Sequence, residues 1–298
     1  MTTESTGIIA AATATFCVGT SAAVAPLLHH YPVYGGQALR YAGGAIALLV
    51  IMSAARLPHL RLSARDVLLI VALAGTGLAA FNIFIVEATR HADPAMVGTI
   101  VAAVPVLLAL STPLMQRQPP RARLVFAAVI VTAGAVLLAG LGRTSALGLG
   151  LAVGALVCEA AFSLLAVPLL PRLGAVRVST YSAVAAVPLL LVTGLLVQGR
   201  ASLRVPTMAE AGALLYLATV VTAFAFFCWY SSLPKLGAEK AGLFSGFIPV
   251  GALASSMLLG TGDPGLAEIG GIAVVVAGLL VGMWPTRRTA RTQAVTTG

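Results

Sequence analysis

Apolar residues run along this chain in blocks of about twenty, separated by short polar stretches. A helix needs roughly 20 apolar residues to cross the ~30 Å of hydrocarbon in a bilayer. By that measure the pattern predicts ten membrane-spanning helices, at residues 8–28, 36–55, 67–88, 94–115, 122–141, 147–170, 178–197, 208–233, 240–260 and 265–284. The connections are short and leave no room for a soluble domain. From Thr286 the chain turns polar and reads as a disordered tail. Several spans open on helix-start signals. Ser63-x-x-Asp66 precedes the third and Thr207-x-x-Glu210 the eighth, both in capping-box form. Asp93-Pro94 opens the fourth, with proline where the first turn tolerates it.

The two capping boxes stand 144 residues apart. The same offset pairs Pro105 with Pro249, Gly98 with Gly242 and Gly134 with Gly278, so residues 63–138 realign on 207–282 without a gap. Cys17 pairs with Cys158 and Pro26 with Pro168 at slightly smaller offsets. The chain therefore divides into a first five-helix repeat (1–143), a second (144–285) and a polar cytoplasmic tail (286–298). An odd number of spans per repeat makes the second enter the membrane from the opposite side. The expected fold is thus all-α and integral to the membrane, with ten transmembrane helices in two inverted repeats. Inverted repeats of this kind build secondary transporters, with the ligand between the halves. Pro105 and Pro249, each inside a span, would free a backbone carbonyl and serve as matched hinges.

Composition agrees with lipid as the solvent. Of 298 residues 59% are hydrophobic and only 9% charged, and the mean hydropathy is +1.01. The net charge of +9 would suggest nucleic acid in a soluble protein, but the basic residues lie between apolar runs, where they set orientation. With the N-terminus in the cytoplasm, thirteen Lys and Arg fall in inside segments. Four (Arg90, Arg143, Arg200 and Arg204) fall outside, and Arg40 lies within a span. Both termini are therefore expected inside, in a bacterial inner membrane. The opening Met-Thr-Thr-Glu-Ser lacks the basic start of a signal peptide, so the first span reads as retained. The three cysteines form no metal or disulfide pattern.

Polar groups inside hydrocarbon are costly and mark candidate function. Glu159, midway along the sixth span, reads either as a proton or ammonium site or as a structural ion pair. Arg40 would hold a substrate carboxylate or snorkel to the headgroups. Asn82 offers a donor and an acceptor to a zwitterion, or an interhelical hydrogen bond. Phe226, Phe227 and Tyr230 are expected on one face of the eighth span, with Phe244 and Phe247 joining them, as a stacking wall or as plain packing. Glu87, beside Arg90 and His91, reads as interfacial. Gly242-x-x-x-Gly246 and Gly278-x-x-x-Gly282 allow close helix packing, and the second pair could serve a homodimer, although a monomer fits as well. No nucleophile constellation and no P-loop is present, so a membrane enzyme is disfavoured and transport, without a cofactor, would be passive or ion-coupled.

The ten-span, five-plus-five plan resembles the drug/metabolite transporter superfamily, in its EamA-type branch. The Arg40-Tyr41 pair opening the second span, the Pro105 and Pro249 segments, and the glycine-rich fifth and tenth spans carry the likeness. Within the family the chain is most similar to exporters of aromatic amino acids. The resemblance implies export of a broad set of amino acids, and a basket of helices around a central cavity with the fifth and tenth spans outside it. Another small metabolite or a drug is the alternative cargo. The expected partners are a small solute and the bilayer.

Overall fold

The computed structural model describes residues 2–58, 60–140, 142–260 and 265–284. The tail beyond Thr286, with its Arg287, Arg288 and Arg291, lies outside the described residues. Among these, nine helices are long and apolar enough to cross a membrane: α1 (Thr3–Ala23), α2 (Val33–Ala54), α3 (Ala64–Ala88), α4 (Pro94–Met115), α6 (Ala146–Leu164), α7 (Leu170–Leu203), α8 (Met208–Leu236), α9 (Ala238–Leu258) and α10 (Leu266–Met283). A tenth, α5 (Ala122–Ala139), is shorter and equally apolar. No β-sheet occurs among the described residues.

The helix starts follow the caps. Ser63 and Thr207 each accept from the backbone three residues on, and Asp66 and Glu210 reach back to the cap backbone. Both acids also hold an arginine: Arg172 lies 2.5 Å from Asp66, and Arg204 pairs with Glu210. The largest departure from the expected boundaries is α7, which begins eight residues before residue 178. Gly174, at φ 73°, joins a short first turn to the main helix, a conformation that favours glycine.

Four helices are interrupted at mid-membrane, in two matching pairs. In α3 residues Ala74–Ala80 are wound as π-helix, and in α8 residues Leu217–Phe224 are. At the 144 offset these stretches coincide. In α4 the helix breaks at Ala102 and Ala103 and restarts at Val104, so Pro105 sits in the first turn of the new segment. In α9 a 3-10 turn over Leu243–Gly246 precedes the segment that carries Pro249. The prolines thus follow the breaks. Each occupies the start of a helical segment, where its missing N–H costs little.

Helices α5 and α10 pack closely against each other through small residues. A Cβ on Gly134 would come within 2.7 Å of the Val275 nitrogen, and one on Gly278 within 2.9 Å of the Val131 nitrogen. These contacts map onto each other at the 144 offset. Gly282 abuts Leu243, and Gly246 abuts Val131. The glycine stripe of α10 is therefore spent inside the chain. The Gly19 and Gly251 backbones meet in the same way where α1 crosses α9.

Ion pairs gather the helix ends into two faces. Glu4 meets Lys240 at 2.8 Å and Arg121 meets Glu239 at 2.9 Å, joining the starts of α1, α5 and α9. Arg172 and Arg177 tie the start of α7 to the α2–α3 connection, at the carbonyls of Arg61 and Pro58. The second face carries Glu87 with Arg90, Asp93 with the Arg143 backbone, and Arg204 with Glu210. Glu87 is half-buried there, paired with the exposed Arg90.

The close crossing of α5 and α10 gives a direct test. Gly278→Ala must push the Val131 backbone away, and overpacking of this kind costs about 1–3 kcal/mol. Gly270→Ala, on the same helix, meets nothing within 4 Å. Thermal scans of detergent-solubilised protein should show a lowered midpoint for the first and an unchanged or slightly raised one for the second.

Candidate functional site

Between the helices lies a cavity of about 400 Å³, large enough for a small organic solute. Its wall comes from α1, α2, α3, α4, α6, α8 and α9, with Ala135 of α5; α7 and α10 contribute nothing. The arrangement implied for α5 and α10 is therefore close to what is found, and the absence of α7 from the wall is new.

The interrupted segments supply much of this wall. Gly77 and Leu78 come from the π-helical turn of α3, Val221 from that of α8, Ala102 and Val104 from the break in α4, and Ser245 and Ile248 from α9. A π-turn widens the helix by one residue and re-aims the side chains that follow it. Beyond it, Phe81, Asn82 and Ile85 of α3 face the cavity, as do Ala225, Phe226 and Trp229 of α8. At the 144 offset these are equivalent positions. Equivalent places carry different chemistry: Asn82 stands opposite Phe226, and Ile85 opposite Trp229.

Four of the residues singled out from sequence meet in this wall: Arg40, Asn82, Glu159 and Phe226. Glu159 projects from the middle of α6 and has no ion-pair partner among the described residues. Arg40 reaches across to α8. Its Nε donates to the Thr222 hydroxyl at 2.7 Å, across to the π-turn of α8, and its Nη1 donates to Gln37 Oε1 at 3.3 Å. Asn82 Nδ2 donates to the Leu78 carbonyl at 2.6 Å and more weakly to the Tyr41 hydroxyl at 3.4 Å. Its donor is spent on holding the π-turn, which leaves the amide carbonyl for a ligand.

Three of the proposed binding residues stand elsewhere. Phe227 is 41% exposed on the outside of the bundle. One residue is 100° of helix, which carries it off the face of Phe226. Tyr230 is fully buried behind the wall, with its ring 5.0 Å from that of Phe162. Phe244 is buried beside Phe247, their rings 6.4 Å apart, away from the cavity. The expected three-residue aromatic face of α8 is replaced by Phe226 and Trp229, at a spacing of three. Pro249 lines the wall, whereas Pro105 does not.

Phe162, Tyr41 and Phe81 are not among the expected binding residues, and Trp229, near a span end, reads from sequence as an interfacial aromatic. The Phe162 ring lies 4.9 Å from Phe226, which in turn lies 6.2 Å from Tyr41. Trp229 donates from Nε1 to the Ser163 hydroxyl at 3.1 Å, which fixes the indole against α6. The available signal was spacing: Glu159-x-x-Phe162 and Phe226-x-x-Trp229 each put two groups on one helix face. The chemistry on offer is one unpaired carboxylate, one guanidinium, one amide carbonyl and a set of aromatic rings.

Comparison with known proteins agrees with this geometry. A solved crystal structure superposes with a TM-score of 0.80 at 21% identity, covering 96% of this chain and 99% of that one. At that identity the likeness concerns the fold. The uncharacterized transporter YetK of Bacillus subtilis (strain 168) is 25% identical over 281 residues, spanning 92% of this chain and 85% of YetK. The profile of the EamA-like transporter family matches twice, over residues 5–140 and 146–284. A bundle of apolar helices around a largely apolar cavity that carries a few polar groups, and a family profile that covers the chain in two tandem stretches, lead to one conclusion: the chain belongs to the EamA-like transporter family.

Proposed function

We propose that the protein is a secondary transporter that exports amino acids, aromatic ones among them, across a bacterial inner membrane by alternating access. The central observation behind this reading is the meeting of Arg40, Asn82 and Glu159 with five aromatic side chains, Tyr41 among them, around one cavity. A zwitterion needs a partner for each charge and, for a large side chain, an apolar wall. Arg40 takes the carboxylate, Glu159 the ammonium, and Phe81, Phe162, Phe226 and Trp229 the side chain.

The alternation follows from an inverted repeat. The family profile matches each half separately, and the interruptions of α3, α4, α8 and α9 recur at one offset. Two halves of one plan, set upside down to each other, can exchange conformations and present the cavity to either side. The breaks at Ala102 and at Leu243–Gly246, followed by Pro105 and Pro249, are the hinges in this reading. The basic bias places the face with Arg65 and Arg123 in the cytoplasm.

Glu159 gives the transporter a means of coupling to protons. Substrate ammonium and proton would compete for it.

Purified protein in liposomes, loaded with unlabelled amino acid, should accumulate labelled phenylalanine by counterflow. No flux for any amino acid would defeat the reading. Glu159→Gln should flatten the dependence of the rate on pH, because the competing proton site is gone; an unchanged pH profile would remove Glu159 from the mechanism. Phe226→Ala should slow phenylalanine about two- to tenfold more than alanine, since aromatic contacts contribute about 0.5–1.5 kcal/mol beyond burial. Phe227→Ala, on the lipid side, should change both rates less than twofold.

A further inference from the structure

A second cavity, of about 250 Å³, adjoins the first. It lies at the face that carries Arg204 and Glu210, between the Ala25–Leu28 turn, the start of α2 and the α8 residues Leu214 and Leu217. Arg40 and Ser21 line both cavities. The guanidinium therefore stands in the partition, with one chamber on each side.

The walls of this vestibule are held in place by their own bonds. The Tyr31 hydroxyl donates to the Arg204 carbonyl at 2.5 Å, and the Arg204 guanidinium lies 4.6 Å from the Tyr31 ring centroid. Arg204 in turn is paired with Glu210. Gln37 is bonded to Arg40. No acidic side chain lines the vestibule, in contrast to the central cavity with its Glu159.

Arg121, Arg172, Arg204 and Lys240 each sit within 4 Å of a carboxylate; Arg40 does not, and neither does the buried Arg177, whose bonds go to the Leu173 and Pro58 carbonyls. The bonds of Arg40 go to a hydroxyl and an amide, and its Nη2 has no hydrogen-bond partner among the described residues. A cation held below the membrane surface without a counter-ion is costly, and that cost is recovered when an anion docks. A guanidinium with a free edge suits a carboxylate in particular, because the two planar groups match.

We infer that the vestibule is a second ligand site, selective for a carboxylate, with Arg40 as the receiving group. The central cavity and the vestibule then form two stations with Arg40 between them. A solute with a carboxylate can turn it toward the vestibule while its remainder stays on the aromatic wall. The assignment rests on the vestibule alone and does not require the cargo proposed above.

Val33 lines the vestibule and provides a reporter. In a background with Cys17, Cys158 and Cys228 changed to Ala, V33C is reconstituted in phosphatidylcholine nanodiscs, which carry no net-anionic lipid. Its modification by a water-soluble thiosulfonate is timed with benzoate or with neutral benzamide, each up to about 10 mM, tenfold above a weak millimolar site. Benzoate should slow the reaction about fivefold or more, saturably, and benzamide should not. A charge-assisted bond contributes enough for that difference. R40Q should abolish the protection and R40K should keep part of it. Equal protection by the two probes, no protection by benzoate, or protection unchanged in R40Q would overturn the assignment. The first comparison needs only the Arg40 protein, so a poorly folding variant does not undo the test. Counterflow measured on the same background separates the two ideas. Protection without amino-acid flux defeats the cargo and keeps the vestibule; flux without protection does the reverse.

Discussion

Hydrocarbon offers no water to an unpaired backbone amide, and this constraint shapes the molecule. It makes every crossing a helix, and it restricts where a helix can be irregular. The π-turns of α3 and α8 and the breaks in α4 and α9 all supply residues to the central cavity wall. In α3 a side chain bonds the loosened backbone: Asn82 donates to the Leu78 carbonyl within the π-turn. In α8 the Thr222 hydroxyl within the π-turn accepts from Arg40, which ties that turn to α2.

The halves match in backbone and differ in side chains. Position for position, Phe81 and Ala225, Asn82 and Phe226, and Ile85 and Trp229 face one space. If both members of each pair were alike, the wall would be chemically uniform. Divergence at equivalent positions makes one flank polar and the other aromatic, which is how a two-fold frame can bind an asymmetric solute. Helix α2 breaks the pattern further. It brings Arg40 and Tyr41 to the wall, while its partner α7 brings nothing.

Much of the architecture was legible in the order of residues, because the signals are local. Apolar length marked the crossings, and α4 ran over the residues expected of it. Ser63 with Asp66 and Thr207 with Glu210 marked two helix starts, and both boxes are formed. The site was only half legible. Arg40, Asn82, Glu159 and Phe226 stood out because they are polar or aromatic in an apolar run. Phe227, Tyr230 and Phe244 stood out for the same reason and lie elsewhere, since composition does not say which way a side chain turns. The turning depends on the π-turns, and nothing in Ala74–Ala80 or Leu217–Phe224 announces an extra residue in the coil. Trp229 was hidden by its place near a span end, where an interfacial anchor is the ordinary explanation.

The contact of α5 with α10 has a mechanical meaning. Two helices that touch at the level of their backbones, with Val131 and Val275 packed over the contact, resist sliding along each other. Gly134 and Gly278 therefore set the register between the last helix of one half and the last helix of the other.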